Sequence, residues 1–191
     1  MSRIVGGSAG GRRLAVPASG TRPTSDRVRE ALFTRLQHQG VLTQARVLDL
    51  YAGSGALALE ALSRGAASAV LVESARVAAA VCRSNAQVLG FADQVTVLSR
   101  KVEQLLAGPA PTRTSTLVFC DPPYQLAPEP TLKLLLRPGW LAPEAVVVLE
   151  RSGRTPEPSW PSGLQVEARK DYGETSLWFL APDPGGAELP E

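Results

Sequence analysis

Asp121-Pro122-Pro123-Tyr124 puts a carboxylate, a rigid carbonyl and an aromatic ring directly after the apolar run Leu117-Val118-Phe119-Cys120. Two prolines fix the backbone and remove two N–H donors, so the Pro122 carbonyl can point into a cavity beside the Asp121 carboxylate. Together these acceptors can receive both hydrogens of an NH2 group. An amine conjugated to a nucleobase is a poor nucleophile, because its lone pair is delocalised into the ring. Holding both hydrogens favours a more tetrahedral nitrogen and aims the lone pair at an electrophile, so positioning and electrostatics supply most of the catalysis. No metal is needed for that chemistry. Tyr124 is suited to stack on the base, a contact typically worth about 1–3 kcal/mol. Asp121, Pro122 and Tyr124 are therefore the candidate catalytic residues. The proton released could go to Asp121 or to water. Read alone, the four residues also fit a loop of turn formers; the buried strand before them favours a site.

A second constellation lies upstream. Val47-Leu48-Asp49-Leu50-Tyr51-Ala52-Gly53-Ser54-Gly55-Ala56-Leu57-Ala58 reads as a buried strand, a glycine turn and a helix start. Such a turn lets backbone approach a ligand and offers unpaired N–H groups. Glu73 ends the next strand, where its carboxylate could accept both hydroxyls of a ribose. Gly53-x-Gly55-x-x-Ala58 followed by Glu73 also satisfies the dinucleotide fingerprint, so spacing leaves NAD open. Asp49 favours another ligand: a carboxylate there suits the cationic amino end of S-adenosylmethionine and would repel a pyrophosphate. A Walker loop is excluded, since no Gly-Lys-Ser/Thr follows. Asp49, Tyr51, Gly53, Gly55 and Glu73 are the candidate cofactor-binding residues, and S-adenosylhomocysteine is the expected product.

The elements that must position these groups follow from the apolar pattern. Strands are expected at 46–51, 68–73, 94–99, 115–120 and 144–150, with helices near 56–64, 75–89, 101–107 and 129–137. This alternation signals a parallel sheet covered on both faces. Two β-rich runs around Asp171-Tyr172-Gly173-Glu174 suggest a closing antiparallel hairpin. Before the sheet, Ile4-Val5 and Leu14-Ala15-Val16 flank a glycine-rich turn and suggest a hairpin. Thr24 or Ser25 can cap a helix bearing Val28, Ala31, Leu32 and Leu36, with Gly40 placed to end it. The expected organisation is an N-terminal hairpin and basic helix over 1–40, a catalytic core over 41–180 and a disordered tail over 181–191.

Length and charge bound the reading further. A chain of 191 residues suits one core. Its apolar runs are too short to span a bilayer, and no signal-peptide core is seen, so a cytoplasmic monomer without membrane contact is expected. Cys82 and Cys120 read as small reduced core residues, and His38 as a surface residue. Residues 1–40 hold seven arginines against Asp26 and Glu30, a balance of +5 in a chain of net charge +2. That asymmetry fits a nucleic-acid partner. Arg3, Arg12, Arg13, Arg27 and Arg29 are the candidate RNA-binding residues.

These residues resemble the bacterial enzymes that methylate the N2 amine of a guanine in small-subunit ribosomal RNA. The likeness is carried by Arg3-Ile4-Val5-Gly6-Gly7, Gly11-Arg12-Arg13-Leu14, the segment from Thr21 to Phe33, the glycine turn, Glu60-Ala61-Leu62-Ser63-Arg64-Gly65-Ala66, Asp-Pro-Pro-Tyr and Tyr172-Gly173-Glu174-Thr175. It implies an α/β, Rossmann-like class I S-adenosylmethionine-dependent methyltransferase fold, with the hairpin and arginine-bearing helix as additions. It also implies 16S rRNA within the small ribosomal subunit, or a late assembly intermediate, as partner and guanine 966 (rRNA numbering) as target. By the same resemblance Arg22 or Thr24 closes over the cofactor. Ser99-Arg100-Lys101 stands where an acid against adenine would be expected, which points to a backbone contact there. The motif itself recognises an NH2 group, so DNA adenine or a protein glutamine remain alternatives within the class. A noncatalytic RNA-binding assembly factor is the alternative outside it.

Overall fold

The computed structural model of the chain describes residues 2–18, 24–183 and 185. Its short first strands, β1 (Ser2–Arg3) and β2 (Arg13–Leu14), form an antiparallel pair. They are shorter and earlier than the apolar residues suggest. The amides of Val5 and Gly6 donate instead to the Glu60 carboxylate, and that of Ala15 donates to Asn85, so the ladder stops there. Helix α1 (Asp26–His38) is capped by Ser25, whose Oγ accepts from the Val28 amide at 3.3 Å.

The core alternates β3 (Arg46–Leu50), α2 (Ala56–Ser63), β4 (Ser68–Val72), α3 (Arg76–Leu89), β5 (Val95–Leu98), α4 (Val102–Ala107), β6 (Ser115–Cys120), α5 (Glu129–Leu135) and β7 (Leu141–Ser152). It closes with the hairpin β8 (Leu164–Tyr172) and β9 (Thr175–Pro182). The seven-stranded sheet runs β5-β4-β3-β6-β7-β9-β8, with β3 to β7 parallel and β9 antiparallel to both neighbours. Alternate residues of β3 show why its run is continuously apolar: Val47 packs with α1, α2 and α3 residues, Leu48 with Leu106, Leu132 and Leu135 on the other face.

Two expected boundaries shift. β7 begins at Leu141, ahead of Pro143, because the register slips between Ser115 and Leu117 and an irregular rung tolerates a residue without an N–H. β9 continues to Pro182, paired with Leu164, so the chain is still in the sheet where a tail was expected. Beyond it, the rest of that expected tail apart from Asp183 and Gly185 lies outside the described residues. Among the described residues, no helix is long and apolar enough to cross a membrane.

The N-terminal segment shares the core of the sheet. Ile4, Leu14, Leu32, Phe33 and Leu36 pack in one apolar cluster with Leu59, Phe119 and Phe179. Polar anchors reinforce it. Glu60, fully buried, accepts from Val5 N at 2.7 Å, Gly6 N at 2.8 Å and Arg64 Nε at 2.8 Å.

The chain leaves β3 for β4 and β5 on one side, then returns to β6 on the other. This makes the carboxyl edge between β3 and β6 a topological switch point, the place where open α/β sheets bind ligands.

Candidate active site

Both sequence constellations meet at that edge. Asp49 and Phe119 are register partners on β3 and β6, so the glycine turn and Asp121-Pro122-Pro123-Tyr124 emerge side by side. A cavity of about 560 Å³ opens over them, lined by Tyr51, Glu73, Lys101, Glu103, Asp121, Pro122, Pro123, Tyr124 and Glu150 among others. Its size lies within the roughly 300–1,000 Å³ of small-molecule sites. A smaller recess of about 50 Å³, lined by Thr24, Asp49, Tyr51, Gly53 and Asp121, adjoins it through the shared Tyr51 and Asp121.

The glycine turn is built by a non-glycine first. Tyr51 has φ +64°, a left-handed conformation that is strained for a bulky residue. Its hydroxyl donates to Glu103 at 2.8 Å and also bonds Thr131, which holds the ring across the cavity floor. The Gly53 amide donates to Glu73 Oε2 at 2.9 Å, and the Ala75 amide to Oε1 at 2.8 Å. Glu73 is thus fixed at the cavity wall by two amides. A carboxylate has about four acceptor sites, so two remain for ligand hydroxyls. Cys82 donates its thiol to the Gly53 carbonyl at 3.1 Å, and burial pushes that thiol up to about 12, so it stays protonated.

Asp49 is buried, with Oδ2 accepting the Ala58 amide at 3.1 Å in the first turn of α2. Burial pushes its carboxyl up to about 7; the Ala58 bond opposes this and the nearby Glu73 charge adds to it. Gly55 departs from expectation. It lines neither cavity, and a Cβ on it would lie 2.7 Å from Leu71 Cδ2, with φ at +80°. The space that a side chain would need there is taken by Leu71 on β4, so helix-to-sheet packing by itself requires a glycine.

Asp121 follows the last β6 rung. Burial raises its carboxyl well above the usual range, the charges of Glu150 and Asp49 raise it further, and Arg151 opposes them. The loop is pinned at its far end: the Leu126 amide donates to the Pro123 carbonyl at 2.8 Å, and Arg151 Nη1 to the Leu126 carbonyl at 2.9 Å. Among the described residues nothing donates to the Pro122 carbonyl, which leaves it free for a substrate. Tyr124 is exposed at the cavity mouth.

Sequence alone assigns Glu103 and Glu150 no role at the site, and Lys101 only a place in a backbone contact. Glu103 and Lys101 enter the cavity from the start of α4, so an acid does stand close to Ser99-Arg100-Lys101. Glu150 lies in the last part of β7, beside Asp121. It ends the apolar run Ala145–Leu149 as Glu73 ends Ala69–Val72, a signal that was available. Thr24 is brought to the site, but its hydroxyl donates to Glu150 at 2.9 Å, at the acceptor end. Arg22 lies outside the described residues.

The expected arginine surface divides. Arg29 is buried, bonding the Arg3 carbonyl at 2.7 Å and Asp26 at 2.5 Å, so it cannot contact RNA. Its place on α1 explains this: positions 29, 32, 33 and 36 share the face turned to the core. Arg12 bonds the Leu89 and Val88 carbonyls at the end of α3. Arg3 pairs with Asp26 at 3.1 Å. Arg13 and Arg27 are exposed and, among the described residues, make no ion pair. Arg3 and Arg13 are also cross-strand partners, with Asp26 as the counter-charge on Arg3.

Comparison with known proteins decides the lineage. The family model described as "Conserved hypothetical protein 95" matches residues 2–181. Ribosomal RNA small subunit methyltransferase D of Escherichia coli (strain K12) is 40% identical over 176 residues, covering 91% of this chain and 86% of the relative. The chain belongs to the small subunit methyltransferase D family. The Haemophilus influenzae member is 36% identical over 151 residues, 78% of this chain and 77% of its own. Among solved structures, Escherichia coli yhhF superposes with a TM-score of 0.83 at 37% identity, covering 95% of this chain and 97% of that one. An RNA methyltransferase from Salinibacter ruber in complex with S-adenosyl-L-homocysteine superposes with a TM-score of 0.65 at 19% identity, over 89% and 97% of the two chains. The fold is thus that of class I S-adenosylmethionine-dependent methyltransferases.

Proposed function

We propose that this protein transfers a methyl group from S-adenosylmethionine to the exocyclic N2 amine of a guanine in 16S rRNA, acting on the small subunit or a late assembly intermediate. One observation carries the reading: Tyr51 and Glu73 share a cavity with the Asp121-Pro122 acceptor pair at the switch point, and the recess lined by Asp49 and Gly53 adjoins it through Tyr51 and Asp121. The residues fit the cofactor. Asp49 suits its ammonium group, Glu73 has acceptor sites left for ribose hydroxyls, and Tyr51 and Glu103 border the same space. When bound, S-adenosylmethionine supplies a sulfonium-activated methyl group.

The protein's own groups do the rest. Asp121 and the Pro122 carbonyl hold the two amine hydrogens and turn the nitrogen lone pair toward the cofactor side. Burial of Asp121 makes it a stronger base than an ordinary carboxylate, suited to take the proton that the methylated amine sheds. Tyr124 supports the base from the cavity mouth. Arg13, Arg27 and Arg3 face the phosphate backbone. The 40% identity to the Escherichia coli rRNA methyltransferase and the basic N-terminal segment support rRNA over a DNA or protein substrate. The test is incubation with methyl-labelled S-adenosylmethionine and small subunits lacking the modification. Label is expected in 16S rRNA; label confined to protein, or no label with a folded, cofactor-binding protein, would overturn the reading.

A further inference from the structure

Glu150 stands where a base-reading group would be needed. β6 and β7 are parallel, with Cys120 paired to Leu149, so Asp121, just past the end of β6, comes beside Glu150, which is still within β7 and paired with Leu177 on β9. Both line the large cavity. Among the described residues, Glu150 has one side-chain hydrogen bond, from Thr24 Oγ1 to Oε2 at 2.9 Å. The nearby Arg151 guanidinium bonds the Leu126 carbonyl rather than Glu150. Two half-buried carboxylates with no counter-ion bonded between them form a costly arrangement, and a ligand rich in donors would relieve it.

We propose that Glu150 determines the base: its carboxylate accepts the ring N1–H of guanine while Asp121 and the Pro122 carbonyl hold the adjacent 2-amine. This rests on the reading of a guanine N2 target given above. Guanine is the standard base whose ring N–H donor adjoins its amine donors along one edge. Adenine and cytosine place a ring-nitrogen acceptor beside their amine, which would face a carboxylate acceptor-to-acceptor. A site built to hydrogen-bond one pattern rejects the other, because its buried polar groups are left unpaired. Charge also builds on the 2-amine as its new bond forms, which makes N1–H a better donor. The bond to Glu150 therefore tightens toward the transition state. Thr24 fixes the orientation of the carboxylate and links it to the start of α1.

The test uses small subunits reconstituted with either guanosine or 2-aminopurine riboside at the methylated position. 2-Aminopurine keeps the 2-amine but carries no hydrogen on N1. Wild type is expected to lose on the order of a hundredfold in kcat/KM on the analogue. Glu150→Gln is expected to lose activity on guanosine but to show a penalty of severalfold at most, since its amide can turn an N–H toward the bare N1. The loss of guanine O6 is common to both enzymes and cancels in the comparison. Calorimetry with S-adenosylhomocysteine and a melting curve verify that the variant is folded. Equal penalties in the two enzymes would overturn the proposal alone, and so, without any variant, would a wild-type penalty below about threefold. Wild type inactive on guanosine subunits would overturn the guanine reading and the proposal with it.

Discussion

Cofactor binding is expected to be linked to ionisation of Asp49. The carboxyl is buried, burial is the main reason it is raised to about 7, and the Glu73 charge raises it further. The cofactor's ammonium group prefers the ionised carboxylate, so binding must expel the proton when pH is low. At pH 8 roughly one molecule in ten carries that proton; at pH 6 roughly nine in ten do. Affinity should therefore fall about tenfold from pH 8 to pH 6, or about 1.4 kcal/mol. The sign for stability is opposite in the ligand-free protein. A raised folded-state value means extra proton uptake by the native state, so its stability falls as pH rises from about 4 through 7. Isothermal titration calorimetry with S-adenosylhomocysteine in two buffers of different ionisation enthalpy measures both the affinity and the proton released. Asp49→Asn keeps an oxygen for the Ala58 amide but removes the charge. It should bind weakly at pH 8, by on the order of a hundredfold, and without the pH dependence. Affinity that is flat from pH 6 to 8 in wild type, or a pH dependence that survives in Asp49→Asn, would refute the reasoning.

Further perturbations separate the parts. Asp121→Ala should bind cofactor within severalfold of wild type but lose on the order of 10³ in single-turnover methyl transfer; near-normal turnover would show the assignment wrong. Wild-type single-turnover rates should rise with pH as the raised Asp121 carboxyl ionises, and a rate that falls instead would contradict its role as acceptor. Replacing Arg13 and Arg27 by Gln should weaken subunit binding and flatten its log–log salt slope by roughly 0.7 per lost phosphate contact; an unchanged slope would remove that surface from the account. Gly7→Ala should lower the denaturation midpoint, since a Cβ there would sit 1.9 Å from the Ser63 carbonyl oxygen at φ +76°. The expected cost is about 2 kcal/mol or more, and an unshifted urea midpoint would contradict it.

The sheet and both motifs were legible because their signals are local: an apolar run, then a glycine turn or Asp-Pro-Pro-Tyr. Where the expectation failed, a distant partner had decided. β1 and β2 stop early because Glu60, more than fifty residues away, takes the amides of Val5 and Gly6. Arg29 reads as one more surface charge by composition, yet its spacing to Leu32, Phe33 and Leu36 places it on the buried face. Gly55 fits a ligand-binding fingerprint, but what requires a glycine is Leu71 on the neighbouring strand. Glu150 ends its apolar run as Glu73 does, which is a local signal, but its place beside Asp121 comes from the register of β7 with β6, which the folded sheet supplies.

Methyl transfer to an amine held by Asp121 and Pro122 fixes which nucleoside is made, so the product nucleoside is the decisive measurement. After reaction with undermethylated small subunits, 16S rRNA would be digested to nucleosides and analysed by mass spectrometry. N2-methylguanosine at one position is the expected product. N6-methyladenosine would contradict the reading of the base, and a carbon- or ribose-methylated nucleoside would contradict the amine chemistry itself.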